Sequence, residues 1–146
     1  MKVQTKTMGT VSVADERIFT FPTGLFGFED YHRYALIEAE YEPFFWLQSL
    51  DERGLAFIVV DPFLIAKDYE LDVDDRMLSE IDLDSPTDVI VFAIVTVPAS
   101  GGPVTANLQG PLVINRKNQQ ALQVILPDAR WTTKHNIIKA LKEGKR

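Results

Sequence analysis

The feature that most constrains this chain is the run Val89-Ile90-Val91-Phe92-Ala93-Ile94-Val95-Thr96-Val97, set inside residues 89–115, which carry no formal charge. A membrane helix needs about 20 apolar residues, so the run is too short to span a bilayer. Its β-branched side chains are stiff at χ1 and pack well on a pleated surface, so it reads as a central strand. Pro98 ends it, and Gly101-Gly102-Pro103 follows as a loop. Leu55–Val60 is also continuously apolar and reads as a strand buried on both faces.

Other segments supply the neighbours. Val3–Thr7 and Thr10–Val13 alternate around Met8-Gly9, the pattern of a half-buried hairpin. Arg17–Phe21, Tyr34–Ile37, Phe44–Leu50 and Leu55–Val60 follow as short runs, the last ended by Asp61-Pro62. After the central strand come Val104–Leu108, Pro111–Asn115 and Ala121–Leu126, parted by turns at Gly110-Pro111 and Lys117-Asn118. Asp74 or Asp75 can cap a short helix over about residues 75–81, with Met77, Leu78 and Ile81 on one face. The expected fold class is mainly β: a small, mostly antiparallel β-barrel-like domain with a short helix between strands. Residues 1–130 form the single domain. Residues 131–146 form a basic tail, read as a short amphipathic helix over about His135–Gly144.

Charge divides the chain more sharply than its net −6 suggests. Residues 38–88 hold fifteen acids and three bases, a net of −12, whereas residues 116–146 hold eight bases and two acids, a net of +6. An acidic stretch of this length either keeps the protein soluble or faces a basic partner. Direct nucleic-acid binding is disfavoured, because phosphate neutralisation needs a basic surface. The polar start Met1–Lys6 leads into no apolar run, so neither a signal peptide nor a membrane span is expected, and the location is read as cytoplasmic.

Catalytic motifs are scarce. The chain has no cysteine, which removes disulfides, thiolate chemistry and cysteine-ligated metals. His32 and His135 are its only histidines, and no Gly-x-Ser-x-Gly elbow accompanies them. Asp68, Glu70 and Asp72 have the spacing that opens a calcium loop, but Val73 and Ser79 stand where Gly and Glu are required. The phosphate-cradling Gly-x-x-x-x-Gly-Lys is absent, and Gly24-Leu25-Phe26-Gly27 lacks a flanking cation. No cofactor or metal is expected, and the inventory favours a binding module over an enzyme. A carboxylate pair in the barrel mouth, serving a small hydrolase or isomerase, and an oligomeric scaffold are the alternatives.

Several segments together resemble the flagellar assembly factor family FliW. They are Phe21-Pro22-Thr23-Gly24-Leu25-Phe26-Gly27-Phe28-Glu29-Asp30, Phe45-Trp46-Leu47-Gln48-Ser49, Leu55–Phe63, Ile94–Pro98, Ala106-Asn107-Leu108-Gln109-Gly110-Pro111 and Val113-Ile114-Asn115. The resemblance is collinear over about residues 1–130; Phe26 stands where the family usually has Pro, and the tail from about Trp131 matches little. It implies a β-barrel without enzymatic activity and two protein partners, flagellin and the translational repressor CsrA. It further implies that flagellin is held in the cytoplasm and that the freed protein then antagonises CsrA. On that reading Glu70, Asp72, Asp74 and Asp75 are candidates for a face that attracts CsrA and repels RNA. Among Phe26, Phe28, Phe44, Phe45, Phe63 and Leu64, the glycine-bounded Phe26 and Phe28 are the preferred apolar contacts for flagellin. Phe45 and Phe63 are expected to be core.

Overall fold

The computed structural model describes residues 1–137. It contains β1 (Lys2–Gln4), β2 (Thr10–Ser12), β3 (Ile18–Thr20), β4 (Arg33–Glu38), β5 (Phe45–Ser49), β6 (Ala56–Val60), α1 (Asp75–Ser79), β7 (Val89–Thr96), β8 (Thr105–Ala106), β9 (Leu112–Asn115), β10 (Gln120–Gln123) and β11 (His135–Asn136). The uncharged run thus forms the longest of these strands. β7 bonds to β6, β8 and β9, and the β7–β9 pairing closes seven strands into a barrel in the order β7-β6-β5-β4-β3-β10-β9. β8 and β11 extend from β7 as a flap, and β1–β2 is a separate hairpin.

Seven is an odd number, so antiparallel pairing cannot alternate all the way round a closed ring. The one parallel join falls between β3 and β10, which share a single register pair, Gln120↔Thr20. Gln119 reinforces it: its backbone carbonyl accepts from the Thr20 amide at 2.9 Å, and its side-chain amide donates to the carbonyls of Ile18, at 2.7 Å, and Asp15.

One apolar cluster draws on all seven barrel strands, through Phe19, Tyr34, Leu36, Leu47, Val59, Phe92, Leu112, Ile114 and Ala121, and is the barrel interior. Alternation sends Val60, Ala93, Val95 and Val113 outward into a second cluster with Ile65, Tyr69, Ile81, Leu126, Trp131 and Ile137. The segments 61–88 and 126–137 therefore cover the barrel's outside, which explains why β6 and β7 are apolar on both faces. Gln48 ties on the β1–β2 hairpin. Its buried amide oxygen accepts from the Lys6 amide at 2.9 Å, and its nitrogen donates to the carbonyls of Ser49, Arg53 and Leu55.

Three expectations change. The boundary expected at 130/131 falls inside packed structure, because Trp131 and Ile137 are buried in the outer cluster. His135 and Asn136, expected to open a helix, instead pair with Ala106 and Thr105 on the flap; the remainder of that expected helix lies outside the described residues. Phe63, expected in the core, is 46% exposed. Asp61-Pro62 starts a 3-10 turn, with the Asp61 carboxylate accepting from the Phe63 amide at 2.9 Å, and the turn presents Phe63 at the surface.

Candidate functional site

The acidic segment after β6 builds an arm over the barrel. Asp74 caps α1, its carboxylate accepting from the Arg76 amide at 2.9 Å. The far end is anchored by Ile81, which is 1% exposed. Asn115 and Asn118 donate to the Ile81 carbonyl at 2.9 and 3.0 Å, so barrel side chains satisfy a carbonyl that follows the helix end. Asp82 turns the chain in the left-handed region, at φ 54°, and Ser85 caps the 3-10 turn that leads into β7.

Between this arm and the β4–β5 end of the barrel lies an open groove of about 1250 Å³. Phe44, Phe45, Leu71, Val73, Leu78 and Phe92 are among its apolar lining, and Glu38, Glu40, Glu42, Asp61, Asp75 and Asp84 supply its carboxylates. Among the described residues no Lys, Arg or His lines it, although the Arg17 guanidinium lies 5.9 Å from the centroid of the lining Phe45 ring. Exposed Phe63 and Leu64 continue the apolar surface at one edge. An apolar floor of this kind suits the apolar face of an amphipathic helix, and a rim of carboxylates favours one whose flanks are basic.

The four acids singled out from sequence occupy different settings. Asp75 lines the groove. Asp74 is engaged as the helix cap, and Asp72 is exposed between the groove residues Leu71 and Val73. Glu70 lies to one side, 3.9 Å from Arg130, whose guanidinium also reaches Asp68 at 3.7 Å and Asp128 at 2.8 Å and stacks on Trp131. The Arg130 hydrogen bonds hold the Asp128 carboxyl below its ordinary range. The groove acids Glu38, Glu40, Glu42, Asp61 and Asp84 were not singled out, although all belong to the same strongly acidic stretch.

The loop carrying Phe26 and Phe28 lies elsewhere. It precedes Arg33, whereas the groove begins at Glu38, so the length of β4, about 17 Å at 3.4 Å per residue, separates them. Gly24, at φ 71°, is required: a Cβ there would sit 2.6 Å from the Glu29 Cα. The Phe26 amide donates to the Gln123 side-chain oxygen at 2.8 Å, which leaves the ring 54% exposed. Phe28 is 37% exposed and meets Phe57 edge-on at 5.2 Å. The loop is thus braced and presents a small aromatic surface of its own.

Nothing in this geometry resembles a tuned acid–base pair. The two carboxylates with shifted titration, Asp51 and Asp128, shift downward, which suits fixed anions rather than general acids. For Asp51 the leading cause is the His32 amide donating at 2.9 Å. No group of three or more His, Cys, Asp or Glu side chains is placed to hold a metal among the described residues. No helix there is long and apolar enough to cross a membrane.

The fold and groove define a class, the small closed β-barrel with an external acid-rimmed apolar groove. The model of the FliW protein family matches residues 2–137, and the chain belongs to that family. The flagellar assembly factor FliW of Treponema denticola is 53% identical over 146 residues, covering 100% of this chain and 99% of that protein. Its counterpart in Treponema pallidum is 54% identical over 143 residues, covering 98% and 95%. A crystal structure of a flagellar assembly factor FliW superposes with a TM-score of 0.84 at 35% identity, covering 94% of this chain and 96% of that one. The likeness to the first relative extends through the basic tail, beyond the residue 130 limit of the sequence resemblance.

Proposed function

We propose that this protein acts in flagellar assembly as a cytoplasmic partner switch, holding flagellin until it is exported and then binding CsrA to relieve repression of flagellin mRNA. The observation that carries the reading is the groove: apolar side chains along its floor, with six carboxylates and no base lining it among the described residues. Flagellin's terminal segments are amphipathic helices, and such a helix fits helix-in-groove binding. CsrA binds RNA and so needs a basic surface for phosphate, which the acidic rim attracts. Docked beside that surface, the same carboxylates repel the RNA without entering its site. Because both partners draw on one groove, they exclude each other, and the alternation needs no chemistry.

The test is competition among purified full-length proteins by size-exclusion chromatography with light scattering. Flagellin should displace CsrA in proportion to its concentration, and Leu78→Lys in the groove should abolish capture of flagellin. Phe26→Ala, at the far end of the barrel, then measures what the aromatic loop adds. A stable ternary complex, or flagellin capture undiminished by Leu78→Lys in a chain with an unchanged circular dichroism spectrum, would refute groove sharing.

A further inference from the structure

Both ends of the arm over the groove are fixed, and its middle is not. At the first end Ile65, Ala66 and Tyr69 are buried, and the Tyr69 hydroxyl donates to the Leu108 carbonyl at 2.6 Å. At the second end Ile81 is buried and its carbonyl accepts from Asn115 and Asn118. No residue from Glu70 to Glu80 is buried.

Among the described residues, every hydrogen bond made by residues 70–80 stays within the arm. One ion pair there leaves it, Glu70 with Arg130 at 3.9 Å, and its side chains are 76% and 50% exposed, so it contributes little. The middle is held down by the packing of half-buried Leu71, Val73, Met77 and Leu78 on the outer cluster. Helix α1 has five residues, too few to persist without that packing.

We propose that residues 70–80 are a strap that detaches from the barrel as one unit, between fixed points at Tyr69 and Ile81, and that detachment admits a partner helix to the groove. The second half rests on the groove reading above. Leu71, Val73 and Leu78 line the groove from the strap, and Phe44, Phe45 and Phe92 line it from the barrel, so the strap sets its width. A helix with its side chains is about 10–12 Å across. As it enters, the apolar side chains of the strap exchange contacts with the barrel for contacts with the helix, which offsets the cost of lifting. A loosely held strap therefore favours binding, because more of the population is already open.

Trypsin cleavage at Arg76 in the native full-length protein reads the detached state, because a protease needs an unfolded stretch and Arg76 is the one Lys or Arg in the strap. Leu71→Ala and Leu78→Ala should each raise the cleavage rate about tenfold. Leu47→Val, in the barrel interior, lowers global stability and should leave that rate unchanged. In the unaltered chain the rate should depend far less on urea than global unfolding does. Fraying confined to Arg76 would make Leu71→Ala silent, and cleavage through global unfolding would make Leu47→Val as effective as Leu78→Ala. Either result overturns the strap, as does the lack of a cut at Arg76. No partner is present, so this outcome is separate from that of the groove reading. Association with immobilised flagellin tests admission: Leu71→Ala should associate faster by about the factor by which its cleavage rises. Unchanged or slower association overturns admission, and no association with any chain overturns the groove reading and admission together, leaving cleavage to decide the strap.

Discussion

Reversal of two groove carboxylates, Asp75→Lys with Asp84→Lys, tests the acidic rim directly. Neither side chain accepts a hydrogen bond or makes an ion pair among the described residues, so the fold should persist. An exposed ion pair is worth about 0.2–1 kcal/mol, and reversal replaces that attraction with a repulsion of similar size, giving about 0.8–4 kcal/mol for the two sites together. CsrA should therefore bind between about fourfold and several-hundred-fold more weakly, mostly through slower association. Surface plasmon resonance at two salt concentrations separates this from a packing defect. The Debye length falls from about 10 Å at 0.1 M to about 3 Å at 1 M, so the difference between variant and parent should shrink at high salt. Glu70→Lys with Asp72→Lys is the matched comparison. Glu70 is already close to Arg130 and off the groove, so this pair should cost less. A loss that is equal at both salt concentrations, or equal for the two double variants, would refute the assignment of attraction to the groove rim.

Two buried tyrosines carry the remaining predictions. Tyr69 donates to the Leu108 carbonyl at 2.6 Å in a buried site, with its ring against Trp131 and Phe63. Tyr69→Phe keeps those ring contacts, leaves a carbonyl without that donor and should lower stability by about 1–3 kcal/mol in urea denaturation. Tyr34 behaves oppositely, since its buried hydroxyl has no hydrogen-bond partner among the described residues, and Tyr34→Phe should cost nothing at neutral pH. Burial foremost, then the charges of Asp51 and Tyr31, push the Tyr34 hydroxyl up to about 12. The folded value lies above the unfolded one of about 10, so this contribution is whole below about pH 10 and is lost as pH rises toward 12. Tyr34→Phe should flatten that limb in thermal melts across pH 9–12, with Tyr69 supplying the part that remains.

Local signals located most of the strands and the helix. The β-branched run marked β7, the Met8-Gly9 turn marked the first hairpin, and Asp74 marked the start of α1. The unbroken apolar run Leu55–Val60 also foretold that β6 is covered on both faces. The groove was not legible, because its lining comes from the end of β4, the start of β5, the 61–64 turn, the arm and the start of β7. Such a surface exists only once distant segments are packed, and no spacing rule joins them. Phe63 failed for a related reason: residue type favours burial, whereas the capped turn at Asp61-Pro62 fixes which way the chain faces. Phe26 succeeded because flanking glycines signal a loop that can hold an aromatic ring outside the core.

The odd number of barrel strands bears on how the molecule loosens. Cooperative local unfolding starts where backbone pairing is sparsest, and at the parallel β3–β10 join a single register pair and the Gln119 bonds carry the load. Hydrogen exchange should therefore be fastest along this line among the barrel strands. β3 runs directly into the Phe26–Phe28 loop, and Gln123, which holds the Phe26 amide, sits at the end of β10. Breathing of the barrel is thus channelled toward the aromatic loop, while the groove lies on the well-paired side. A partner gripping the loop would feel a compliant surface, and one seated on the barrel side of the groove a stiff one.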